Sequence, residues 1–522
     1  MPLSRSSGIL LHPTSLPGPY GIGELGSHAH RWVDWLADAG QTLWQVMPLG
    51  PTGYGDSPYQ CFSAFAGNPY LVSLERLEQE GLLSADDLAE GRDLPDARVD
   101  YGPVIAFKVE MLTRAERRFH ERADAEQRAD LERFRARHAG WLDDYALFMA
   151  LKDHHGGRAW SDWDPALRDR DPDALVAARE RHAEPIRRHA TWQWWFDRHW
   201  RDVRERANAA GIRIVGDLPI FIAYDSADAW AHRELFFFDE AGAPTVVAGV
   251  PPDYFSATGQ RWGNPLYRWK RMKDNRFAWW ISRFRSTLEF VDIVRIDHFR
   301  GFEAYWEIPA AEPTAVEGRW VRGPGQPFFD AVREALGELP IIAEDLGVIT
   351  PAVEELRDAN GLPGMKVLQF AFAGSASDPY LPHNYEPHCV VYTGTHDNDT
   401  TRGWFETAPE DERDLVRRYL ARGDHAIAFE LIRLASASVA AVAIFPLQDA
   451  LELGSEGRMN TPGKAEGNWS WRFGWDDLPD WLAPQLREMA QLYGRFAGDG
   501  PRDTPYRQSV TDSGVEEDGD AA

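Results

Sequence analysis

Eight short apolar stretches along the chain alternate with amphipathic or charged segments of helical pattern. Their β-branched composition and their polar or turn-forming boundaries are typical of strands buried in a parallel sheet. The predicted strands are Gly8–His12, Thr42–Met47, Ile212–Asp217, Val291–Arg300, Pro340–Asp345, Met365–Ala371, Cys389–Thr393 and Val439–Phe445. Alternation with helices predicts an α/β fold, and this number of strands favours a closed (β/α)8 TIM barrel over an open doubly wound sheet.

One segment interrupts the alternation of strands and helices. Residues 70–208 are highly charged and helical in pattern, so we expect a large, mainly helical insertion there. The barrel would begin in residues 1–69, with an active-site loop, and continue through residues 209–499, which contain a Pro- and Gly-rich loop at 249–265. Residues 500–522 are polar and acidic, which predicts a disordered tail.

Composition narrows the class of protein. The formal net charge of −26 argues against binding to nucleic acid, which requires a basic face. Two cysteines exclude a disulfide framework and fit a reducing compartment. Because the N-terminus lacks a signal-peptide core and no apolar run is long enough to span a membrane, we expect a soluble cytoplasmic protein. Its acidic, lysine-poor composition fits either a coding bias with a solubilising surface or adaptation to high salt.

Acidic residues stand at the ends of four predicted strands. Asp217 ends the third strand and Asp297 the fourth, while Glu344 ends the fifth and Asp397 follows the seventh. Each acid alone could be a helix cap or part of an ion pair. In a TIM barrel, however, the carboxyl ends of the strands meet at the rim that carries the active site. Clustered carboxylates there suit the chemistry of glycosidic bonds, which uses one carboxylate as nucleophile and another as acid.

The neighbours of these acids suggest separate roles. Arg295 shares a strand face with Asp297 and would keep it ionised as a nucleophile. Glu344 follows an apolar run and lies among other carboxylates. Both features would raise its pKa, which suits an acid that must keep its proton. Asp397, beside His396, is the candidate for a third carboxylate that binds sugar hydroxyls and favours a distorted ring.

Two other chemistries have weaker support. Residues Gly21–Gly26 match the dinucleotide-binding glycine pattern, but a Pro-rich segment separates them from the first strand and the second strand lacks a ribose-binding acid. A turn is the better interpretation of these glycines. His12, His298 and His396 could assist a divalent metal, yet no close-spaced His/carboxylate motif appears. We therefore expect no cofactor and no metal.

Seven motifs in order give the chain a specific resemblance to a known family. It resembles 4-α-glucanotransferases of the amylomaltase or disproportionating-enzyme family, relatives of the α-amylases, from about Ser7 to Gly494. The motifs are His12–Pro17, Gly55–Tyr59, Gly216–Ile220, Arg295–Gly301, Ala343–Gly347, Thr395–Asn398 and Arg458–Gly463. The resemblance implies retaining transfer of α-1,4-glucan segments through a covalent glucosyl-enzyme. It also implies that Asp297 is the nucleophile, Glu344 the acid/base and Asp397 the transition-state stabiliser.

The same resemblance implies a set of substrate-binding residues. Those expected around the sugar at the scissile bond are Ser57, Tyr59, Asp217, Arg295, His298 and His396. Those expected on a flexible lid, residues 249–265 over the acceptor side, are Tyr254, Phe255, Gln260 and Trp262, with Asn468 a fainter match. The implied partners are malto-oligosaccharides and α-1,4-glucans. An α-glucan hydrolase with the same acids and a non-catalytic glucan-binding protein are the alternatives, and the sequence leaves the oligomeric state open.

Overall fold

A barrel of parallel strands forms the centre of the molecule, for which a computed structural model describes residues 3–252, 256–464 and 466–496. Within these residues the barrel strands are β1 (Ser6–Leu10), β2 (Leu43–Gln45), β3 (Arg213–Pro219), β4 (Ile293–Asp297), β5 (Ile341–Ala343), β6 (Gly364–Val367), β7 (Cys389–Tyr392) and β8 (Val442–Pro446). They pair in the order β6-β7-β8-β1-β2-β3-β4-β5. The N–H of Ala343 donates to the carbonyl oxygen of Pro363, just before β6, at 3.0 Å. This bond joins the two ends of the sheet, so the predicted (β/α)8 barrel is confirmed.

The interior of the barrel is apolar up to its carboxyl-end rim. Successive side chains of a strand point to opposite faces, so alternate residues fill the interior. These residues form one buried cluster: Leu10, Leu43, Val215, Ile293, Ile342, Met365, Val367, Val390, Tyr392, Val442 and Ile444. Asp217 and Arg295 stand two residues beyond Val215 and Ile293 in β3 and β4. The polar side chains therefore begin directly above the apolar filling.

α-Helices form the largest part of the regular structure outside the barrel strands. Helix Ser27–Asp38, for example, buries Trp32 with its ring 6.4 Å from that of Trp44 in β2. None of the helices in the described residues is long and apolar enough to cross a membrane. The other α-helices are Leu74–Gln79, Tyr101–Arg122, Ala125–His154, Pro165–Arg168, Pro172–Arg181, Ala183–Ala209, Ala227–Ala231, Trp269–Asp274, Ala278–Phe290, Gln326–Leu336, Pro351–Ala359, Thr401–Thr407, Glu410–Leu420, Ile427–Ala437, Leu447–Ala450 and Leu482–Leu492.

The segment between β2 and β3 contains the three longest of these helices, Tyr101–Arg122, Ala125–His154 and Ala183–Ala209. The first two of these helices are separated by a short break at Ala123 and Asp124. There Asp124 accepts the N–H of Gln127 at 2.8 Å, and the Gln127 side chain accepts the N–H of Asp124 at 3.0 Å. This reciprocal capping box begins a new helix.

A second, four-stranded antiparallel sheet lies outside the barrel strands and was not predicted. Its strands, in spatial order, are Gln260–Pro265, Val246–Val250, Ala304–Pro309 and Arg319–Arg322. The stretch 249–265, predicted to be a loop, thus has strand structure at both ends, which corrects that expectation in part. Gly249 permits the pairing, because any Cβ there would collide with the carbonyl oxygen of Gln260. The predicted tail, 500–522, lies outside the described residues.

Candidate active site

The four acids predicted at the barrel rim are carried by the ends of separate strands. Asp217 lies within β3 and Asp297 is the last residue of β4. Glu344 follows the last residue of β5, and Asp397 lies in the loop after β7. Because all the strands are parallel, these positions share the carboxyl end of the barrel.

Arg295 connects two of these acids. Its Nη1 donates to both carboxylate oxygens of Asp217, at 2.8 and 2.6 Å, and to Oδ1 of Asp297 at 3.0 Å. The Asp217 side chain is fully buried, whereas that of Asp297 is 29% exposed. Asp217 therefore neutralises the buried guanidinium, and Asp297 keeps one face accessible to a ligand.

Glu344 is held by backbone groups instead of a basic side chain. Its Oε2 accepts the N–H of His298 at 2.6 Å, and its Oε1 accepts the N–H of Leu346 at 3.0 Å. His298 has a left-handed backbone, with φ 55° and ψ 47°, which turns the chain sharply after Asp297. The carboxylate of Glu344 consequently lies against the backbone that follows Asp297.

Burial raises the pKa of both carboxyl groups. It raises that of Asp297 to about 6, and Arg295 opposes the shift without cancelling it. It raises the pKa of Glu344 to about 8, with a further contribution from the negative charge of Asp297. Sequence reasoning attributed the shift of Glu344 to its apolar approach and to crowding, and burial is the larger of these causes. Near neutral pH, Glu344 therefore holds a proton more readily than Asp297.

Aromatic rings form one wall beside these acids. The ring of Tyr59 stacks on that of His396 with centroids 5.0 Å apart, and Trp469 lies 5.8 Å from Tyr59. The Tyr59 hydroxyl donates to Asp217 at 2.8 Å. Asp397, next to His396, has a half-exposed side chain that accepts a hydrogen bond from Asn460 at 2.6 Å.

Trp262 approaches the acids from the antiparallel sheet. Its ring meets that of His298 edge to face at 4.8 Å, and its indole N–H donates to the Gln260 side chain at 3.1 Å. His298 is buried, which lowers the pKa of its ring to about 3. Two further residues predicted on this segment, Tyr254 and Phe255, lie outside the described residues.

Two predicted binding residues form hydrogen bonds to the backbone of loops around the site. Ser57 Oγ accepts the N–H of Tyr59 at 3.2 Å and so shapes the loop that presents that ring. Asn468 accepts the N–H of Thr461 at 2.9 Å and donates to the carbonyl of Lys464 at 2.8 Å. Among the described residues, neither side chain forms a hydrogen bond to any of the four acids.

Sequence reasoning missed the residues that hold the Asp397 loop. Asn460 binds the Asp397 side chain, and Arg458 donates to its carbonyl oxygen at 2.8 Å. Both lie in the motif Arg458–Gly463. The sequence analysis found this motif but assigned no role to its residues. Asp449 is buried behind the loop, in the short helix Leu447–Ala450. It belongs to none of the seven motifs, so the sequence did not mark it as part of the site.

The acids do not form a metal centre in this structure. Within residues 3–252, 256–464 and 466–496, no group of three or more His, Cys, Asp or Glu side chains is arranged to hold a metal ion. The carboxylates of Asp217 and Glu344 instead bind a guanidinium and backbone N–H groups.

Comparison with known proteins identifies the family of this site. The profile of the 4-alpha-glucanotransferase family matches residues 11–476. The chain belongs to this family. A 4-alpha-glucanotransferase of Thermus thermophilus is 55% identical over 508 residues, which cover 95% of this chain and 100% of the relative. A chloroplastic/amyloplastic 4-alpha-glucanotransferase of Solanum tuberosum is 46% identical over 503 residues, which cover 94% of this chain and 87% of the relative.

Solved structures agree with this membership in the 4-alpha-glucanotransferase family. An amylomaltase from Streptococcus agalactiae in complex with acarbose has a TM-score of 0.91 at 39% identity, covering 94% of this chain and all of that chain. An amylomaltase from Corynebacterium glutamicum, at 21% identity and a TM-score of 0.76, shares the fold. The match covers 96% of this chain and 75% of that chain. The enzyme is thus a glycosyltransferase of the 4-alpha-glucanotransferase type, and the resemblance found in the sequence is confirmed.

Proposed function

We propose that this enzyme transfers segments of α-1,4-glucans to glucan or glucose acceptors by a retaining double displacement. The observation that supports this most strongly is the contact between Glu344 and the backbone N–H that follows Asp297. It gives two carboxylates on adjacent strands, and burial gives them different pKa values. A retaining mechanism requires such a pair, with one group ionised and the other protonated.

The first step of the proposed reaction forms a covalent intermediate. The carboxylate of Asp297 attacks the anomeric carbon while the bond from that carbon to the glycosidic oxygen breaks. Glu344 gives its proton to the departing oxygen, and a β-linked glucosyl-enzyme remains. Arg295 orients Asp297 through the 3.0 Å hydrogen bond, and its second partner, Asp217, keeps the guanidinium in place.

The second step returns the glucan to an α linkage. The 4-hydroxyl of an acceptor glucan attacks the anomeric carbon, gives its proton to Glu344 and displaces Asp297. Asp397 would bind sugar hydroxyls and stabilise the distorted ring, a role that its half-exposed side chain allows. Transfer requires that water be excluded from the glucosyl-enzyme until the acceptor glucan binds. The segment 249–265, with Trp262 already beside His298, is the proposed lid.

The aromatic wall suits a sugar ligand. Tyr59 would stack on the glucose ring that contains the scissile bond, and His396, His298 and Asp217 would bind its hydroxyls. The buried Nε2 of His298 has no partner among the described residues, so it can bind a hydroxyl group. The complex of the Streptococcus agalactiae amylomaltase with acarbose supports a glucan-like ligand for this cleft. Both cysteines are free, which supports a reducing cytoplasmic location.

A time course with maltotriose tests transfer against the alternative, hydrolysis. Transfer should give glucose and a ladder of longer chains while the number of reducing ends stays constant, because each broken glycosidic bond is replaced by another. Hydrolysis would give only shorter products and a rising number of reducing ends. Chromatography of the products together with a reducing-end assay distinguishes the two, and a steady rise in reducing ends would contradict the proposal.

The Asp297→Asn variant tests the nucleophile assignment, and the unmodified protein tests the alternative of a non-catalytic binding protein. Its transfer activity should fall by orders of magnitude, since the amide cannot form the covalent intermediate. The exposed Asp480→Asn substitution is the matched control and should be fully active. Full activity of Asp297→Asn would disprove the nucleophile assignment, and an unmodified protein that binds maltotriose without converting it would be a binding protein.

A further inference from the structure

Arg283 is a buried cation without a carboxylate partner. Among the described residues it forms no ion pair, its hydrogen bond to the carbonyl of Ile220 is 3.4 Å long, and its Nε has no partner. Its guanidinium lies over the rings of Trp280 and Trp279, at 4.8 and 5.5 Å. Burial lowers the pKa of Arg283, but a guanidinium stays protonated at neutral pH. Ring faces and one long hydrogen bond are less than a buried charge normally requires.

Arg283 lines a cavity of about 80 Å³ between β3 and helix Ala278–Phe290. Ser286, one helical turn further along the same face, lines it as well, and its buried Oγ also has no partner in the described part of the chain. Gly216 and Leu218 of β3 form part of the opposite wall. The cavity therefore offers two unused hydrogen-bond donors, and its volume admits a small ion with water.

The acids near this cavity form no ion pair with Arg283 in the described part of the chain. Asp228 is the carboxylate whose charge acts on Arg283, but it accepts the N–H of Ala64 at 2.8 Å and forms no ion pair within the described residues. Burial raises the pKa of Asp228, and the charge of Arg283 opposes that shift. Asp217 borders the cavity too, but both of its oxygens bind Arg295 on the other side of β3.

We propose that this cavity binds a small monovalent inorganic anion of the size of chloride, held by Arg283 and Ser286. One charge is expected because Arg283 is the single basic residue among the described residues that line the cavity. The site lies between β3 and helix Ala278–Phe290, and because neither Arg283 nor Ser286 has a role in the proposed glucan chemistry, the inference does not depend on it. Because the loop that carries Tyr59 also borders the cavity, a bound anion would stabilise the folded state there.

Bromide provides a direct test on the unmodified protein. Crystals grown without halide and soaked in sodium bromide should show an anomalous peak in the cavity, within hydrogen-bond distance of Arg283 and Ser286. Density for water alone, with no anomalous peak at this position, would overturn the proposal.

Thermal unfolding provides the test in solution. When sodium chloride replaces sodium gluconate at constant ionic strength, Tm should rise and then saturate, because the anion binds the folded state. Constant ionic strength removes the general effect of salt on the acidic surface. Arg283→Gln should abolish the rise, Ser286→Ala should move its midpoint to higher chloride, and Arg285→Gln, exposed on the same helix, should leave it unchanged. A rise that does not saturate and that persists in Ser286→Ala without a shift would contradict the site, even if Arg283→Gln fails to fold.

Discussion

The backbone N–H of His298 donates to the carboxylate of Glu344 at 2.6 Å and so links the ends of β4 and β5. His298 takes a left-handed conformation, which is uncommon for a residue other than glycine. The residue before it is Asp297. The relative placement of the proposed nucleophile and the proposed acid is therefore set by one backbone turn, and is less dependent on flexible side chains.

The two pKa shifts predict a bell-shaped pH dependence of kcat/KM. Burial raises the pKa of Asp297 to about 6, so activity should fall as the pH drops through this value and the nucleophile becomes protonated. Burial raises the pKa of Glu344 to about 8, so activity should fall as the pH rises through this value and the acid loses its proton. Initial rates with maltotriose from about pH 4 to about pH 10 measure both limbs. A rate that stays constant through both values would contradict these assignments.

The separate roles of the two acids predict different responses to an activated donor. Glu344→Gln should slow transfer from maltotriose by about 10²–10⁴-fold, because the amide cannot protonate the leaving oxygen. It should still release fluoride from α-maltosyl fluoride, since fluoride leaves without a proton. Asp297→Asn should use neither donor. A fluoride electrode measures the release, and rapid release by Asp297→Asn would show that another group is the nucleophile.

The barrel and its acids could be predicted because their signals are local. β4, for example, is rich in β-branched residues, and Arg295 and Asp297 share a face because side chains alternate with a period of two. Parallel strands then bring the acid after each strand to the same rim, so no information about distant contacts was needed.

Features that depend on distant parts of the chain could not be predicted. Asn460 reaches Asp397 across more than sixty positions, and no local pattern signals that contact. The antiparallel sheet was missed because Gly249 and Gly263 are typical of a loop. The absence of a Cβ at Gly249, however, is what lets the carbonyl of Gln260 approach it and Arg261 pair with it. The left-handed backbone of His298 has no signal in the sequence.

The hydroxyl and the ring of Tyr59 should make separate contributions to substrate binding and turnover. Tyr59→Phe removes the 2.8 Å hydrogen bond to Asp217 but keeps the ring stacked on His396, so kcat/KM should fall by roughly 10-fold. Tyr59→Ala also removes the stacking surface and should raise KM further. Steady-state kinetics with maltotriose separates the two effects. The control is Tyr54→Phe, because Tyr54 is 81% exposed, and an equal loss in that variant would argue against a specific role for the Tyr59 hydroxyl.

Asp449 should act on catalysis through the loop that carries Asp397. Its buried carboxylate accepts the N–H and the hydroxyl of Thr401, both at 2.7 Å, and the hydroxyl of Thr393 at 2.5 Å. These bonds join the end of β7 to the start of helix Thr401–Thr407, with Asp397 in the loop between them.

Asp449→Asn replaces one of these acceptor oxygens with a donor, so two hydroxyl groups lose their acceptor. The free energy of unfolding should fall by about 1–3 kcal/mol, and kcat should fall more than KM changes, because the loop no longer holds Asp397 in one position. Thr393→Val should reproduce part of the loss in kcat, whereas the exposed Asp480→Asn should be neutral. Chemical denaturation and maltotriose kinetics on the same samples measure both effects. A variant that loses stability but keeps its kcat would mean that Asp449 supports the fold without positioning the loop for catalysis.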